Sequence, residues 1–592
     1  MKNMKSSSKT VWKCKRLMRL LVCVLACVIP FEANGQTLDI SELGLKPNTK
    51  ENAVPFFKKA IELCKKEKYK KLYIPTGRYD FYPFEQQKEQ LYISAHDHRD
   101  SRYTAMSVRD VHDFTIEGNG SSFVFHDYML PISLIDCDHI TLQNFSIDFE
   151  TPYYSQALIK QVTQEYADIE FSPEIQHSVM DNKLYLDTEV GKMEMLCFMV
   201  FDKNGKYVVP NTGDLSRYSS AEQLNSKTVR LYGMSKHLQA GNILFMRNAS
   251  RPNPGIFSWR CKDLLFEDID IYWAQGMGTL SQRCENITMN RVNVKIKPGS
   301  NRYFTTVDAL HFTACKGLVS VNDGLYENMQ DDAINVHGDY LQIQDIDFKK
   351  KKMVVSYKHF QSFGYEAVLG GETIQFISRK TMLPVSKAVV LKATRLDDYM
   401  TEITFAKAIP HELCAGDCIE NIDWVPEVSY RNNVIRNNRA RGALFSTPLK
   451  TVVANNLFEN CSGSAILLSS DCNSWFLSGA CRDVRIENNR FYNCMTSYYQ
   501  YCEGIISIYP EMPMIANTCY HANIRISKNH FVVDPGTLFL YAKSVDGLSF
   551  TDNKIEYRDS KKIGQISSNS FYNVFHCNHL KISGNFISPF LK

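Results

Sequence analysis

One short phrase of alternating apolar and polar residues recurs along most of this chain and limits the fold more than any other feature. Copies that begin with cysteine lie at 137–145, 261–269, 284–292, 315–318, 481–489 and 577–582, and copies without it lie near 523–526 and 546–550. In each copy a turn residue precedes an apolar–polar–apolar alternation, which is typical of a strand with one buried face. Asp263 and Asn286 are 23 positions apart, as are Asn523 and Asp546. A strand pattern with a fixed period in the twenties predicts an all-β fold, a right-handed parallel β-helix, whose turns we call coils.

The phrase is interrupted twice, and both interruptions contain short strand-like runs separated by turn residues. Each is long enough for a small β-barrel or β-sandwich of its own. We therefore divide the chain into a signal peptide (1–35), an N-terminal cap with the first coils (36–154), a first inserted β domain (155–248), central coils (249–340), a second inserted β domain (341–423) and C-terminal coils (424–592).

A short amphipathic helix is predicted before the first coil. Its apolar positions follow helical spacing: Ala53, Val54, Phe56, Phe57, Ala60, Ile61 and Cys64. Because the open end of a solenoid must be covered, this helix is expected to cap the β-helix.

The first residues have the composition of an export signal. Lysines and arginines up to Arg19 precede an apolar run at 20–29, which is too short to span a bilayer, and small residues before Gln36 offer a cleavage site. A lipoprotein anchor at Cys27 is the alternative. No later stretch is long and apolar enough for a transmembrane helix. The mature protein is therefore expected in the periplasm or outside the cell.

The net charge and the number of cysteines argue against a nucleic-acid-binding protein and against a protein held together by a complete set of disulfides. A formal net charge of +4 on 592 residues, with both signs mixed, argues against a nucleic-acid-binding protein. Of 18 cysteines, Cys14, Cys23 and Cys27 precede the cleavage site, which leaves the odd number of 15. An odd number cannot form a complete disulfide framework, and the repeated position of most cysteines indicates packing.

Three aspartates one coil apart form the candidate site. Asp331 and Asp332 are adjacent, and Asp308 precedes Asp332 by 24 positions, so that 308–311 (DALH) aligns with 332–335 (DAIN). Neighbouring strands of a sheet lie about 4.8 Å apart, which predicts that Asp308 and Asp332 face the same patch of solvent. An Asp-Asp pair by itself commonly marks a solvated turn, so the prediction depends on the stacking with Asp308.

Clustered carboxylates suit the hydrolysis of a glycosidic bond, which needs a proton donor for the leaving oxygen and a base or nucleophile on the other side. Repulsion between like charges keeps at least one member protonated. Asp308 and Asp332, as stacked equivalents, can hold and deprotonate one water. Asp331 would point the other way in a regular strand. It reaches solvent only if the chain bends there, and it would then lie on a different side of the substrate, which makes it the proton donor by elimination. This division of roles predicts inversion at the anomeric carbon, for which carboxyl separations of about 6.5–9.5 Å are expected.

Three polar residues flank the aspartates and are candidates for binding sugar hydroxyls: His311, Asn335 and His337. Structural hydrogen bonds within the coils would explain each of them as well. The second insert begins shortly after Gly338, so it is expected to rise beside the aspartates and turn an open cleft into a pocket.

Two tryptophans and one arginine are further candidates for substrate contact. Trp273 and Trp475 can each stack on a sugar face, unless they pack in the core. Arg441 precedes Gly442-Ala443-Leu444, a phrase that resembles the catalytic strand in a later coil, and can line the same cleft.

Two other functions remain open from the residues alone. Several carboxylate oxygens also suit Ca²⁺, and a calcium-dependent polysaccharide lyase can share this fold. Such a lyase needs a basic residue beside the metal, and residues 330–338 contain no arginine or lysine. A β-helix that binds glycans without cleaving them is the other alternative. Sensitivity to a chelator would identify the lyase, and binding without turnover would identify the binding protein.

At these residues the chain resembles two groups of enzymes. Asp308 and the Asp331-Asp332 pair, with His337 and Gly338 behind them, are similar to the site of the inverting polygalacturonases of the pectin-lyase-like superfamily. The Arg-x-Lys pair that holds a uronic carboxylate in those enzymes is not found, which favours a neutral sugar. The whole mature chain resembles glycoside hydrolase family 110 more closely, in its export signal, capped β-helix, two β-rich inserts and segments 307–311 and 330–338.

The resemblance to family 110 implies an exo-acting α-1,3-galactosidase that inverts the anomeric centre and needs no cofactor or metal. It implies Asp331 as general acid and Asp308 with Asp332 as the base pair, in agreement with the geometric argument. Some members require branched blood-group-B-type glycans and others also accept linear α-1,3-galactosides, and the sequence does not assign this chain to either group. The expected partner is a glycan with a terminal α-1,3-linked galactose. Side-by-side packing into a homo-oligomer is a further expectation for a β-helix with appended barrels.

Overall fold

The computed structural model describes residues 36–213, 218–234, 237–558 and 571–588. The predicted signal peptide and its lipoprotein alternative at Cys27 lie outside the described residues. Strands dominate this part of the chain, which contains one α-helix, Val54–Glu67, and the 3₁₀ turns Ile40–Leu43 and Glu85–Gln87. None of its helices is long and apolar enough to cross a bilayer.

Parallel strands stacked coil upon coil form three faces around a continuous apolar core, which confirms the predicted β-helix. Four strands turn the corner from face 1 to face 2: His112–Phe125, Asp138–Phe149, Lys262–Ile271 and Glu285–Val294. The other strands of face 1 are Thr37–Asp39, Lys71–Tyr73, Lys316–Asn322, Pro426–Arg431, Lys450–Ala454, Asp483–Glu487, His521–Ser527, Val545–Thr551 and Lys581–Ser583. The other strands of face 2 are Arg78–Phe81, Leu325–Glu327, Val434–Arg436, Leu457–Glu459, Arg490–Tyr492, His530–Val533, Lys554–Tyr557 and Phe586–Ser588.

Face 3 carries the candidate site. Its strands are Arg102–Arg109, Met129–Ile135, Ile256–Trp259, Thr279–Gln282, Leu310–Thr313, Ile334–Asp347, Ala443–Phe445, Ile466–Asp471, Ile506–Glu511, Leu540–Lys543 and Tyr572–Phe575. Two short antiparallel strands, Lys88–Glu89 and Leu477–Ser478, flank it. Leu310 pairs with Ile334, the 24-residue offset that the aspartate alignment predicts.

Buried asparagines turn the corner between faces 1 and 2 in the C-terminal coils. The side-chain nitrogen Nδ2 of one asparagine donates to Oδ1 of the asparagine in the next coil at 2.9–3.1 Å. The residue that precedes each of these asparagines has a positive φ, for example Asn455 and Asn488. Asparagine tolerates this conformation better than most residues do. The ladder consists of Asn433, Asn456, Asn489, Asn529, Asn553 and Asn585. Asparagine side chains therefore stabilise this corner from coil to coil.

The cysteines of the repeated phrase pack in the core. All 15 cysteines of the described chain are free thiols. Cys137 and Cys261 are buried one above the other, and their thiols donate to main-chain carbonyls at 3.3 and 3.4 Å. The expectation of packing rather than bridging is confirmed.

The helix Val54–Glu67 covers the N-terminal end of the β-helix, as predicted. Its buried face includes Phe57, whose ring contacts Tyr79, Phe81 and Phe123 of the first coils at centroid distances of 5.2–6.4 Å. The apolar spacing of the sequence therefore identified the side that packs on the coils.

The first insert forms an open antiparallel sheet and a small meander. In spatial order the sheet strands are Cys197–Phe201, Ile243–Arg247, Tyr154–Val162, Tyr166–Glu170, Thr228–Tyr232 and Ser220–Gln223. The meander strands are His177–Met180, Lys183–Thr188 and Gly191–Glu194.

The second insert closes into a six-stranded antiparallel barrel, which we call the barrel. Its strands in order are Ile334–Asp347, Lys352–Ser356, Met400–Phe405, Pro384–Arg395, Thr373–Ile377 and Cys418–Asn421, which pairs back to the first. Ile334–Asp347 belongs to both bodies, because Asn335 and Val336 pair within face 3 and Tyr340 to Asp347 pair within the barrel. This shared strand fixes the barrel beside the aspartates.

Candidate active site

Two stacked loops bring the three aspartates together. The main-chain nitrogen of Ala309 donates to the carbonyl of Asp332 at 2.9 Å, and that of Asp331 donates to the carbonyl of Val307 at 3.1 Å. Asp308 therefore lies on Asp332, while Asp331 lies in a bend just before the strand Ile334–Asp347. All three side chains line one pocket. The 24-residue alignment predicts this for Asp308 and Asp332.

Asp331 faces three guanidinium groups. The Nη atoms of Arg439, Arg441 and Arg251 lie 3.4, 3.6 and 3.8 Å from its carboxylate oxygens. Burial would raise the pKa of Asp331, but these three cations outweigh it and hold the pKa below its usual range. Among the described residues, its Oδ1 is in ion pairs with Arg439 and Arg441 but accepts no hydrogen bond.

Within the described part of the chain, the cation paired with Asp332 is Arg441. Its side chain is 1 % exposed, the Nε of Arg441 lies 2.8 Å from Oδ1, and Nη2 donates to Oδ2 at 3.0 Å. Burial raises the pKa of Asp332 well above its usual range although Arg441 opposes the rise. Burial would lower the pKa of Arg441, but Asp332 and Asp331 outweigh it and raise that pKa. The expectation that Arg441 lines the cleft agrees with its position in the pocket wall.

The pKa of Asp308, like that of Asp332, is raised, which favours the protonated form. Burial first, and the charge of Asp331 second, raise its pKa to about 7. Its Oδ2 lies 2.8 Å from Nδ1 of His311. The site therefore contains carboxyl groups whose pKa values are shifted in opposite directions, which is the condition for separate acid and base roles.

One of the predicted histidines, His311, contacts Asp308, and the two imidazoles contact one another. Nε2 of His311 lies 3.0 Å from Nε2 of His337, and both rings are buried in the pocket wall. Burial lowers the pKa of His311 to about 3 and that of His337 to about 4. Asn335 also lines the pocket, and its Oδ1 accepts no hydrogen bond from any residue that the structure describes, so it can accept one from a ligand hydroxyl.

The two tryptophans differ in position, and the expectation for Trp273 is wrong. Trp273 is completely buried and packs edge-on against Phe149, Tyr153 and Tyr154. It lies two and four positions after Ile271 and Ile269, residues of the same parity that are also buried, so the strand alternation itself predicts an inward position. Trp475 is 37 % exposed and lines the pocket.

The barrel supplies one wall of the pocket. His359 and Ser362 reach the pocket from the barrel, and the ring of His359 stacks on Trp475 with centroids 4.6 Å apart. Asp471 and Tyr501 line the side formed by later coils. The cleft is thus closed into a pocket by the second insert, as expected from where that insert begins.

The sequence prediction missed Arg251, Arg439 and His359. Arg439 lies two positions before Arg441, so the same argument would have reached it. Arg251 and His359 lie within or just beyond inserts, where the coil period gives no signal. The basic residues also remove one argument against a lyase, because three arginines lie beside the aspartates although none lies within 330–338.

Calcium ligation has little support in this pocket. Within the described ranges, the one group of three acidic or histidine side chains with ligand atoms within 4.8 Å of one another is Asp138, His139 and Asp263, none of which lines the pocket. The aspartates of the pocket are instead faced by guanidinium groups, which compete with a metal ion for the same oxygens.

Comparison with known proteins identifies the family. Models described as GLAA-B beta-barrel domain I and domain II match residues 155–244 and 352–419. An alpha-1,3-galactosidase B of Phocaeicola vulgatus is 39% identical over 561 residues, covering 90% of this chain and 94% of that protein. One from Bacteroides fragilis is 39% identical over 550 residues, covering 88% of this chain and 92% of that protein.

A solved structure, a hyperthermoactive exopolygalacturonase from Thermotoga maritima, is 10% identical with a TM-score of 0.37, covering 91% of this chain and 92% of that one. The two curated relatives exceed this identity over nearly their whole length. The chain therefore belongs to the α-1,3-galactosidase family, glycoside hydrolase family 110, as the resemblance in its sequence implied.

Proposed function

We propose that this protein is an exported, exo-acting glycosidase that removes terminal α-1,3-linked galactose from glycans, including blood-group-B-type glycans, with inversion of the anomeric centre. The observation that carries the proposal is the convergence of Asp308, Asp331 and Asp332 in one largely buried pocket. The names of the 39% identical relatives supply the substrate class. A pocket walled by the barrel suits a chain end better than the middle of a polymer, which supports exo action.

In the proposed mechanism Asp331 protonates the leaving glycosidic oxygen. Asp308 and Asp332 together hold and deprotonate the water that attacks the anomeric carbon from the opposite side. Two carboxyl groups of one pair on the water and a third on the leaving group give single displacement and hence inversion. Asn335, with an unpartnered oxygen, and Trp475, with an exposed ring, are proposed to hold the galactose.

The mechanism sets a condition on Asp331. The three guanidinium groups around it lower its pKa in the free protein, whereas a proton donor must be protonated when the substrate is bound. The proposal therefore requires the bound glycan to separate Asp331 from at least one of Arg251, Arg439 and Arg441, so that burial can raise the pKa of Asp331 and let it hold a proton.

Time-resolved proton NMR with a blood-group-B trisaccharide tests the proposal. Wild-type protein is expected to release β-galactose first, followed by slow mutarotation, and Asp331→Asn is expected to release none at comparable enzyme concentration. Release of α-galactose first would contradict inversion. If neither branched nor linear α-1,3-galactosides are cleaved, the proposed substrate is wrong, and uronides with and without calcium become the next substrates to assay.

A further inference from the structure

A chain of hydrogen bonds leads from Asp308 into the protein and ends at a main-chain carbonyl. Asp308 Oδ2 lies 2.8 Å from His311 Nδ1, His311 Nε2 lies 3.0 Å from His337 Nε2, and His337 Nδ1 lies 2.8 Å from the carbonyl oxygen of Gly338. The last group can only accept. The carbonyl of Gly338 therefore fixes which partner donates and which accepts in each hydrogen bond of the chain.

The number of protons in this chain determines which group holds the proton between His311 and Asp308. The three hydrogen bonds need three protons, and two neutral imidazoles supply one each. His337 must place its proton on Nδ1, facing Gly338, so its Nε2 accepts from His311. His311 then presents a bare Nδ1 to Asp308, and the third proton must belong to the carboxyl group. Thr313, whose hydroxyl lies 3.3 Å from Nε2 of His337, can add a second donor there without changing this direction.

The one alternative puts the extra charge on an imidazole and leaves Asp308 as a carboxylate. The groups facing His311 are Arg251, Asp331 and His96, and those facing His337 are Asp339 and His359. Burial is the largest influence on both imidazoles and lowers the pKa of His311 to about 3 and of His337 to about 4. A second proton on either ring is therefore disfavoured near neutral pH.

The pKa of Asp308 is raised, whereas the pKa values of the two histidines are lowered. The charged groups that face it are Asp331, Arg251 and Arg441, with Asp332 stacked above it. Burial and Asp331 outweigh the two arginines and raise its pKa to about 7. Charge and proton count therefore agree on the neutral arrangement.

We propose that His311 and His337 are positioning residues that hold a proton on Asp308, so that Asp308 orients the attacking water as a neutral acid while Asp332 alone takes its proton. The inference rests on the proposed hydrolysis and divides the roles within the Asp308–Asp332 pair. With its O–H committed to His311, Asp308 offers its other oxygen to one hydrogen of the water. The O–H bond of the other hydrogen breaks toward Asp332, a bond forms from the water oxygen to the anomeric carbon, and the glycosidic bond breaks with the proton of Asp331 on the leaving oxygen.

The division removes an electrostatic cost. Two ionised carboxylates stacked about 4.8 Å apart would repel one another in a buried site. A neutral Asp308 leaves one anionic base beside Arg441. It also assigns His311 and His337 to the protein rather than to the sugar, which replaces their expected role as ligands of sugar hydroxyls.

Titration of aspartate labelled with ¹³C at the side-chain carboxyl tests this chain in the full protein without glycan. The signal absent from Asp308→Asn identifies Asp308, which is expected to titrate near 7, apart from most other aspartates. His337→Leu removes the acceptor of His311, lets His311 carry its proton on Nδ1 and is expected to lower the Asp308 pKa by about one unit or more. His337→Gln keeps an acceptor oxygen and is expected to retain the wild-type value. An unchanged Asp308 pKa in folded His337→Leu would overturn the proposal.

A second measurement needs no variant at the histidines to fold. Nitrogen NMR of ¹⁵N-histidine-labelled wild-type protein reports which ring nitrogen carries hydrogen. We expect Nδ1–H at His337 and Nε2–H at His311, and the reverse at either ring would overturn the chain. Both measurements are made without substrate, so they remain decisive if the protein fails to cleave α-1,3-galactosides, a failure that would contradict the proposed function instead.

Discussion

Arg441 contacts Asp332 through two nitrogen atoms, with Nε 2.8 Å from Oδ1 and Nη2 donating to Oδ2 at 3.0 Å. The carboxylate is buried and the arginine is 19 % exposed, so both ions have lost most of their water. A buried pair of this kind contributes little net stability, but removing one partner leaves an uncompensated charge.

We expect Arg441→Met to lower the free energy of unfolding by about 3–5 kcal/mol at neutral pH. Urea unfolding followed by circular dichroism measures this change. Arg291→Met is the matched control, because Arg291 pairs with Asp268 on the surface and exposed pairs contribute little. If Arg291→Met lowered the free energy of unfolding as much as Arg441→Met does, the larger cost expected for breaking the buried pair would be contradicted.

The role of Asp331 can be separated from that of its neighbours by changing the leaving group. Asp331→Asn is expected to lose about 10²–10⁴-fold in kcat on a natural disaccharide, the usual contribution of a general acid. On an aryl α-galactoside whose leaving group needs no proton, the loss should be much smaller. Asp332→Asn should lose activity on both substrates, because the base is needed for either. Equal losses of Asp331→Asn on both substrates would assign the donor to another carboxyl group.

The two tryptophans should respond to alanine in opposite ways. Trp273→Ala is expected to destabilise the fold by about 3–5 kcal/mol, since a completely buried aromatic leaves a cavity. Trp475→Ala should leave the unfolding transition almost unchanged and raise KM for the glycan, because its exposed ring lines the pocket. Thermal unfolding and steady-state kinetics on the same preparations measure both effects. A KM unchanged in Trp475→Ala would remove Trp475 from the substrate-binding residues.

Asp308 should make stability depend on pH. Its pKa of about 7 in the folded protein exceeds the usual value of about 3.9 in an unfolded chain. The bound proton therefore stabilises the fold fully below about pH 4, and this contribution is lost as pH rises through 7. Asp308→Asn cannot ionise, so we expect equal stability near pH 4 and an advantage for the variant of roughly 2–4 kcal/mol at pH 8–9. Parallel stability curves from pH 4 to 9 would contradict the raised pKa.

Much of the fold was predictable because a β-helix repeats locally. Each coil pairs with the next, so a phrase that recurs every 23 or 24 residues determines both the architecture and the neighbours of a residue. The stacking of Asp308 on Asp332 follows from that offset alone. The bend that turns Asp331 into the pocket was stated as a condition, and the chain meets it.

The arginines and the barrel wall lie beyond the reach of this argument. Arg441 is 109 positions from Asp332 because the whole barrel intervenes, and Arg251 follows the first insert. Insert length is unrelated to the coil period, so the period cannot predict which residues meet across an insert. The error at Trp273 has a different cause: its parity with Ile269 and Ile271 pointed inward, and chemical type was given more weight than strand alternation.

The strand Ile334–Asp347 has a consequence for attempts to alter this protein. Its first residues, Asn335 and His337, line the pocket, and the same backbone then pairs with two strands of the barrel. A chimera that exchanges barrels between relatives cannot be joined at a flexible loop here; it must be spliced within a hydrogen-bonded strand, in register. A shift of one residue at that splice would reverse the side on which every following side chain points, so successful grafts should be confined to partners with the same strand length.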